Sequence, residues 1–361
     1  MNAENEDLIL NTTIRSIDEN TPSDLHRPHL GMSQIGKPDD RALWLSFRWS
    51  LPDDTSARVR RIFRLGHLIE AEVIELLSRI PGAKVIDRVP GTGQQFNFIY
   101  VDGHFGGSMD ACMLGVPEAP KTWHVIEIKT VNGKRFKELQ KSRVEAFSPE
   151  YYAQMQCYMG ASGMERALFV AYCKDTSELY TERLHAKKIE FSGYLARAER
   201  IIMAIEPPSS IYKDADDFEA KKAGATSRVY WGQELPPPNC RNCRFSSPVS
   251  GGQWDCDFHR KTISIDDQRK GCANHNYMPC LMPKPAMHIK TYADCVEYEI
   301  DGIKFWNAES IAGAVHEDVY NSAELHHMSK SDLASLTKDK AFSDIREKFS
   351  ATVTSHDAAS L

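Results

Sequence analysis

Three things are missing from this 361-residue sequence, and each closes off a class of protein. No apolar run approaches the roughly 18 to 20 residues that a membrane span needs. No G-x-x-x-x-G-K-[S/T] loop occurs, so the chain carries no phosphate-loop motor. Nor is there an excess of positive charge: 44 Lys and Arg stand against 50 Asp and Glu, a formal net charge of -6, which does not favour indiscriminate adhesion to polyanions. The start, MNAENEDLILNTT, is acidic where a signal peptide is basic and then apolar. The nine cysteines are an odd number, and Cys112, Cys157 and Cys173 fall singly in core-like patterns, which argues against a disulfide framework. The expectation is an unexported protein of a reducing cytoplasm. What is present, 42% hydrophobic and 26% charged residues, supports a folded core and rules out disordered or coiled-coil readings.

Along the chain, residues 1 to 56 read as an irregular arm with one docked helix at ALWLSFRW and little chemistry. From Ala57 to Arg79, Val59, Ile62, Phe63, Leu65, Ile69, Val73, Ile74 and Leu77 recur at three- and four-residue spacing, an amphipathic helix ended near Pro81-Gly82. AKVIDRV, FNFIYV, GGSMDACMLG and WHVIEIKT then read as consecutive strands. Helices follow at 134–146 and 149–161, two strands at RALFVAYC and ELYTERLH, and a helix at 190–205 stopped by Pro207-Pro208. This order predicts a mixed α/β core over 57–205, one central sheet flanked by helices. Residues 206–238 read as a linker or arm. Residues 239–283 hold five of the nine cysteines and mark a second small module, and 284–361 read as one hairpin turning at Asp301-Gly302 followed by a polar tail.

In WHVIEIKT, a period of two puts Ile126 and Ile128 on one face and Glu127 and Lys129 on the other, so that the charged pair shares an open face. Alone, such a pair is ordinarily a surface ion pair. Asp110 lies 17 residues earlier in GGSMDACML, and a hairpin of that size can set it beside Glu127. Two carboxylates at one point repel unless they share a proton or a divalent cation, and the neighbouring ammonium points to metal-assisted hydrolysis with Mg²⁺ or Mn²⁺. His67 and Glu70 share one helical face after Gly66, and Gln154 and Tyr158 share another. Arg58, Arg60, Arg61 and Arg64 form one basic cluster, and Lys134, Arg135, Lys137, Lys141 and Arg143 a second; either is ordinarily a solvated helix face.

Taken in order, Gly66-His67-x-x-Glu70, Gly107-x-x-Asp110, Glu127-x-Lys129 and Gln154-x-x-x-Tyr158 resemble the PD-(D/E)XK nuclease superfamily, nearest its RecB-like and lambda-exonuclease-like branch and its phage-encoded exonucleases. The resemblance covers about residues 58–205. It implies a restriction-endonuclease-like core in which His67, Asp110, Glu127 and the Ile128 carbonyl bind Mg²⁺ or Mn²⁺, and Lys129 positions or activates the attacking water. It further implies that Glu70 is an additional acid at the metal site and that Gln154 and Tyr158 orient Lys129 or touch DNA. The basic residues at 134–143, and the arginines before His67, would meet the phosphate backbone.

Cys240 and Cys243 form a C-x-x-C, Cys256 and His259 a C-x-x-H, and Cys272 and His275 another, with Cys280 following. This donor density suits structural tetrahedral Zn²⁺ on Cys240, Cys243, Cys256 and Cys272, with His259 or His275 as substitutes for either of the last two. A metal staple would let a segment poor in large apolar residues fold. Some RecB-like nucleases instead hold an iron–sulfur cluster with one cysteine upstream of the nuclease. Here no cysteine precedes Cys112, and Asp39 and Asp40 stand where that thiol would be, so zinc is the favoured reading.

The expected activity is a metal-dependent DNA exonuclease acting at linear ends in recombination, repair or replication of phage-type DNA. Its partners would be DNA and a single-strand-annealing, recombinase or single-strand-binding protein. The alternatives are a structure-specific endonuclease or nickase, or a non-catalytic DNA-end-binding protein. A zinc hydrolase at the cysteine module is disfavoured, because four Cys or His ligands leave no open position for water.

Overall fold

The computed structural model describes residues 9–20, 26–51, 56–309 and 318–330. The chain begins with α1 (Ile9–Asn20), then β1 (Leu30–Gly31), α2 (Asp40–Phe47) and α3 (Ala57–Ser78). Asp39 is the N-cap of α2, its side chain accepting from the Arg41 and Ala42 amides, which is the local reason for an aspartate there. The expected docked helix is thus present. It buries Leu43, Trp44 and Phe47 in the main core.

Strands β2 (Lys84–Ile86), β3 (Phe96–Tyr100), β4 (Phe105–Met109), β5 (Ala111–Leu114) and β6 (His124–Val131) follow, then α4 (Gly133–Phe147), α5 (Pro149–Ser162), β7 (Arg166–Cys173), β8 (Leu179–His185) and α6 (Lys188–Met203). The central sheet runs β2-β5-β6-β7-β8, with β6 and β7 parallel and the other neighbours antiparallel. The fold is mixed α/β. Ile126, Ile128, Leu168 and Val170 meet Val73 and Leu77 of α3 on one face. Val125, Phe169 and Ala171 share the other with Phe136, Leu139 and Ala153 of the following helices.

One expected strand is two. GGSMDACMLG breaks at Asp110: β4 pairs with β3 and β1 in a separate three-stranded sheet, while β5 joins the central one. Asp110 is the corner between them, and its Oδ2 accepts from the Ile128 amide at 2.9 Å, so a side chain takes the place of a ladder carbonyl. The stripe on α3 also departs from expectation. Val73 and Leu77 are buried, whereas Phe63 and Leu65 are 55% and 43% exposed, because the first half of the helix projects past the sheet.

After α6 come α7 (Phe218–Ala223) and the cysteine-rich segment, with β9 (Ser246–Val249), β10 (Gln253–Cys256), β11 (Lys261–Ile263) and α8 (Ile265–Lys270). The expected hairpin is two strands of a four-stranded sheet, β12 (Met287–Thr291), β13 (Val296–Ile300), β14 (Ile303–Asn307) and β15 (Val319–Tyr320), followed by α9 (Ser322–Ser329). Its turn is Asp301-Gly302, with φ of 51° and 84°, the left-handed pair a tight hairpin requires. The expected polar tail, from 331 on, lies outside the described residues. Among the described residues no helix is long and apolar enough to cross a membrane.

Candidate active site

Strand β5 pairs with β6 only over 111–113 against 124–126, with Ala111 opposite Ile126. Asp110 therefore turns off beside Glu127, as the hairpin spacing predicted. Lys129 ion-pairs with Glu127 through Nζ and Oε1. The expectation of an open face is corrected, however: Glu127 is 0% exposed, because α5 packs over that face of β6. Apart from the contact with Lys129, neither Glu127 carboxylate oxygen has a hydrogen-bond partner.

His67 and Glu70 hang from α3 at the same edge, with Nδ1 3.6 Å from Oε2, and the imidazole is largely exposed. They border a cleft of about 750 Å³ that Lys129, Thr130, Tyr151, Phe63, Arg27 and Ser33 also line. The electrostatics tie the group together. Burial raises the Asp110 pKa against the opposing fields of Lys129 and His67 and the Ile128 amide. Burial, then Asp110, raises that of Glu70, and Glu127 is pushed up to about 8 by burial, with Asp110 and Glu70 adding. For Lys129 burial acts downward, but Glu127 and Asp110 outweigh it and hold the ammonium charged.

Three carboxyl groups thus face one lysine, and burial raises the pKa of each. Several carboxylates gathered at one point, with the buried Glu127 oxygens partnered by Lys129 alone, are a donor set that a hard divalent cation satisfies. The group is open: among the described residues, no three His, Cys, Asp or Glu side chains are drawn together as a ready metal cage.

Of the two roles expected for Gln154 and Tyr158, burial bears on one. Gln154 Nε2 donates to the Tyr158 hydroxyl at 3.2 Å and both side chains are buried, so neither presents a surface to DNA, while Tyr158 lies within the electrostatic reach of Glu127 and Lys129. Tyr158 fits because Gly107 has no Cβ; one there would lie 2.9 Å from its hydroxyl. The ring over Lys129 is Tyr151, with Nζ 5.4 Å from its centroid, and Tyr151 in turn stacks on Phe169.

The arm expected to carry little chemistry supplies the opposite wall. Arg27, His29, Ser33 and Gln34 line the cleft, and Arg27 Nη1 donates to Ser33 Oγ at 3.3 Å. A Cβ at Gly31 would lie 3.2 Å from that nitrogen and 3.4 Å from that hydroxyl, so the glycine keeps the cradle open. No motif announced these residues; the irregular, Pro- and His-rich stretch hid them. The two basic clusters fall on α3 and α4, where Arg143 is engaged with Glu182 at 3.0 Å.

The second group of ionisable side chains lies in the cysteine segment. A cavity of about 110 Å³ is lined by Cys240, Cys243, Cys256, Cys272, His259 and His275. Burial first, then the neighbouring thiols, pushes Cys240 up to about 12, and burial pushes Cys243 up to about 11. His275 is held down at about 4 by burial, so its ring is neutral. Its Nε2 meets the Asn239 carbonyl and Asn242 Oδ1 at 3.0 and 2.9 Å, and its Nδ1 is buried without a partner. Burial also raises the Cys272 thiol. The lining offers sulfur and imidazole nitrogen, the donor types soft metals take, but among the described residues these side chains, too, are not drawn together as a metal-holding group. Cys280 points elsewhere, toward the Ile205 carbonyl.

No family model and no curated protein matches the chain. Solved structures do. LHK-Exo in complex with dAMP is 17% identical over 48% of this chain and 86% of that one, with a TM-score of 0.33. The alkaline exonuclease LHK-Exo from Laribacter hongkongensis is 18% identical over 56% and 96%, with a TM-score of 0.31. A phage-related exonuclease from Haemophilus somnus 129PT is 15% identical over 49% and 94%, with a TM-score of 0.27. Over about half its length the chain is thus similar to alkaline and phage-related exonucleases, and at such scores its chemistry rests on its own residues.

Proposed function

We propose that the chain is a divalent-metal-dependent deoxyribonuclease of the PD-(D/E)XK kind, an exonuclease that hydrolyses phosphodiester bonds at linear DNA ends. The observation that carries this is the buried Glu127 carboxylate, partnered by Lys129 alone, beside Asp110 at the edge of a wide cleft. Asp110 and Glu127 would hold Mg²⁺ or Mn²⁺, with His67 and the Ile128 carbonyl as the further ligands that the family resemblance implies. When bound, that ion would polarise a phosphoryl oxygen and lower the pKa of its water.

The chain's own groups do the rest. Lys129, kept charged by two carboxylates and held under Tyr151, donates to the attacking water or to the developing negative charge. Glu70 lines the cleft, its pKa raised by burial and by Asp110, and is the acid we assign to hand a proton to a leaving oxygen. Arg27 and Ser33 bind a phosphate on the opposite wall, and the basic faces of α3 and α4 extend that contact along the strand without reading sequence. In the same reading the thiol cavity holds one structural Zn²⁺ on Cys240, Cys243, Cys256 and Cys272, with His275 Nδ1 as the alternative donor best presented.

The test is a time course on end-labelled linear and covalently closed circular DNA with Mg²⁺, Mn²⁺ or EDTA. Metal-dependent loss of linear DNA alone, abolished in Glu127→Ala and Lys129→Ala, is the expected result, and the released label gives the polarity. Cut circles would make the chain an endonuclease, and intact DNA in every lane would leave only an end-binding role.

A further inference from the structure

Arg241 sits in the C-x-x-C turn between Cys240 and Cys243, yet its side chain leaves the thiol cavity and is 0% exposed. The guanidinium carbon lies 3.8 Å from the centroid of Trp49 and 4.8 Å from that of Trp254. Its nitrogens are spent on uncharged acceptors: Nε donates to Gln268 Oε1 at 2.9 Å, Nη1 to the Phe47 carbonyl at 3.2 Å and Nη2 to the Pro28 carbonyl at 2.9 Å. The charged groups that act on it are Arg48 and Arg269, which add repulsion to the cost of burial. A buried cation held without a carboxylate is expensive, and hydrophobic stacking alone would not call for a fork of donors.

What the fork holds is the wall of the cleft. Pro28 follows Arg27, whose own carbonyl accepts from Trp49 Nε1 at 2.9 Å, and Trp49 is the ring on which Arg241 lies. Two residues on, the Leu30 amide donates to the His104 carbonyl at 2.8 Å. The backbone that presents Arg27 and Ser33 is therefore pinned at successive carbonyls, one by Arg241 directly and one through Trp49. Trp49 is tied to the cysteine segment a second time, its carbonyl accepting from Asn239 Nδ2 at 3.1 Å.

We propose that Arg241 is a positioning residue for DNA binding: from the cysteine turn it fixes the segment that carries Arg27, so that the cysteine segment shapes the DNA cleft without touching DNA. This rests on the nuclease reading. It predicts a change in affinity with little change in the chemical step, because Glu127 and Lys129 stand on β6 of the central sheet and Asp110 is held by the Ile128 amide of that same strand.

The experiment measures equilibrium binding of a linear duplex by the full chain in Ca²⁺, and single-turnover cleavage at saturating duplex in Mg²⁺. Arg241→Lys keeps the charge and loses the fork. Trp49→Phe keeps the ring and loses the bond to the Arg27 carbonyl, and it carries the test if the lysine variant does not fold. Either variant should weaken binding about tenfold, the scale of one charge-assisted hydrogen bond, and leave the saturating rate within about threefold. In an Arg27→Ala background either should add less than about twofold, since the effect travels through Arg27. Wild-type affinity in the folded variants, or losses that multiply fully with Arg27→Ala, would overturn the proposal. Failure of the wild type itself to bind or cut linear DNA would instead remove the nuclease reading.

Discussion

The molecule shields two groups of ionisable side chains from water, and they differ in every respect that matters to chemistry. At the Asp110 corner the donors are oxygens, three carboxyls face one lysine, and the site opens on a cleft of about 750 Å³. In the cysteine segment the side chains offer sulfur and nitrogen around a cavity of about 110 Å³. An open site with unbalanced charge leaves room for a substrate and gives a hard cation something to neutralise. A small cavity of soft donors leaves no position for a reactant. Under the proposed function, reaction belongs to the first and architecture to the second.

The largest effect that would break this contrast comes from Glu127. Glu127→Ala should lower the cleavage rate about a thousandfold or more, since several kcal/mol of barrier stabilisation go with the cation, while the fold is retained. A comparable loss of cleavage from Cys272→Ser in protein that stays folded would move the chemistry to the wrong region.

Next in size is the response to thiol loss. Cys243→Ser, or stripping with a strong chelator, should lower the thermal midpoint by several degrees, with about one Zn²⁺ per chain found by elemental analysis before treatment and none after. Iron and a visible absorption band in place of zinc would redraw that site as a cluster.

The two regions should also tilt stability with pH in opposite directions. At the Asp110 corner the folded carboxyls have raised pKa values, so the metal-free folded state binds more protons than the unfolded one, and stability falls as pH rises from about 4.5 toward about 8. His275 is depressed from 6.5 to about 4, so there the unfolded state binds the extra proton, and stability falls as pH drops below 6.5. Melts in EDTA should therefore show a loss on the alkaline side that Mg²⁺ or Glu127→Gln flattens. An alkaline slope indifferent to both would separate the carboxylates from any cation.

The smallest effect sharpens the cleft. Arg27→Ala should weaken duplex binding about tenfold and reduce the slope of log affinity against log salt by about one, as loss of a single phosphate contact does. An unchanged slope would mean that Arg27 meets no phosphate.

Much of this was legible in the chain. The helix at 57–78, the Glu127-x-Lys129 strand, the approach of Asp110 and the turn at Asp301-Gly302 all follow from period, spacing and turn chemistry, which act over a few neighbouring residues. The burial of Glu127 was not legible, because alternation says which residues share a face and not what covers it. The spacing of Gln154 and Tyr158 likewise says that they share a helical face and not where it points, and α5 turns them inward onto each other. Arg27 and Ser33 carried no signal, since an arginine in an irregular stretch has no period to stand out from.

By itself, then, the sequence determined the local elements, the donor types at each site and the order in which they occur, because hydrophobic period, capping and ligand chemistry are written residue by residue. Tertiary structure alone decided that Asp110 is a corner between two sheets, that an N-terminal arm faces α3 across the cleft, and that an arginine between two cysteines reaches Pro28, more than two hundred residues earlier in the chain. Those decisions rest on packing and on buried hydrogen bonds that join distant segments, and no local pattern encodes which partner a buried carbonyl or carboxylate will find.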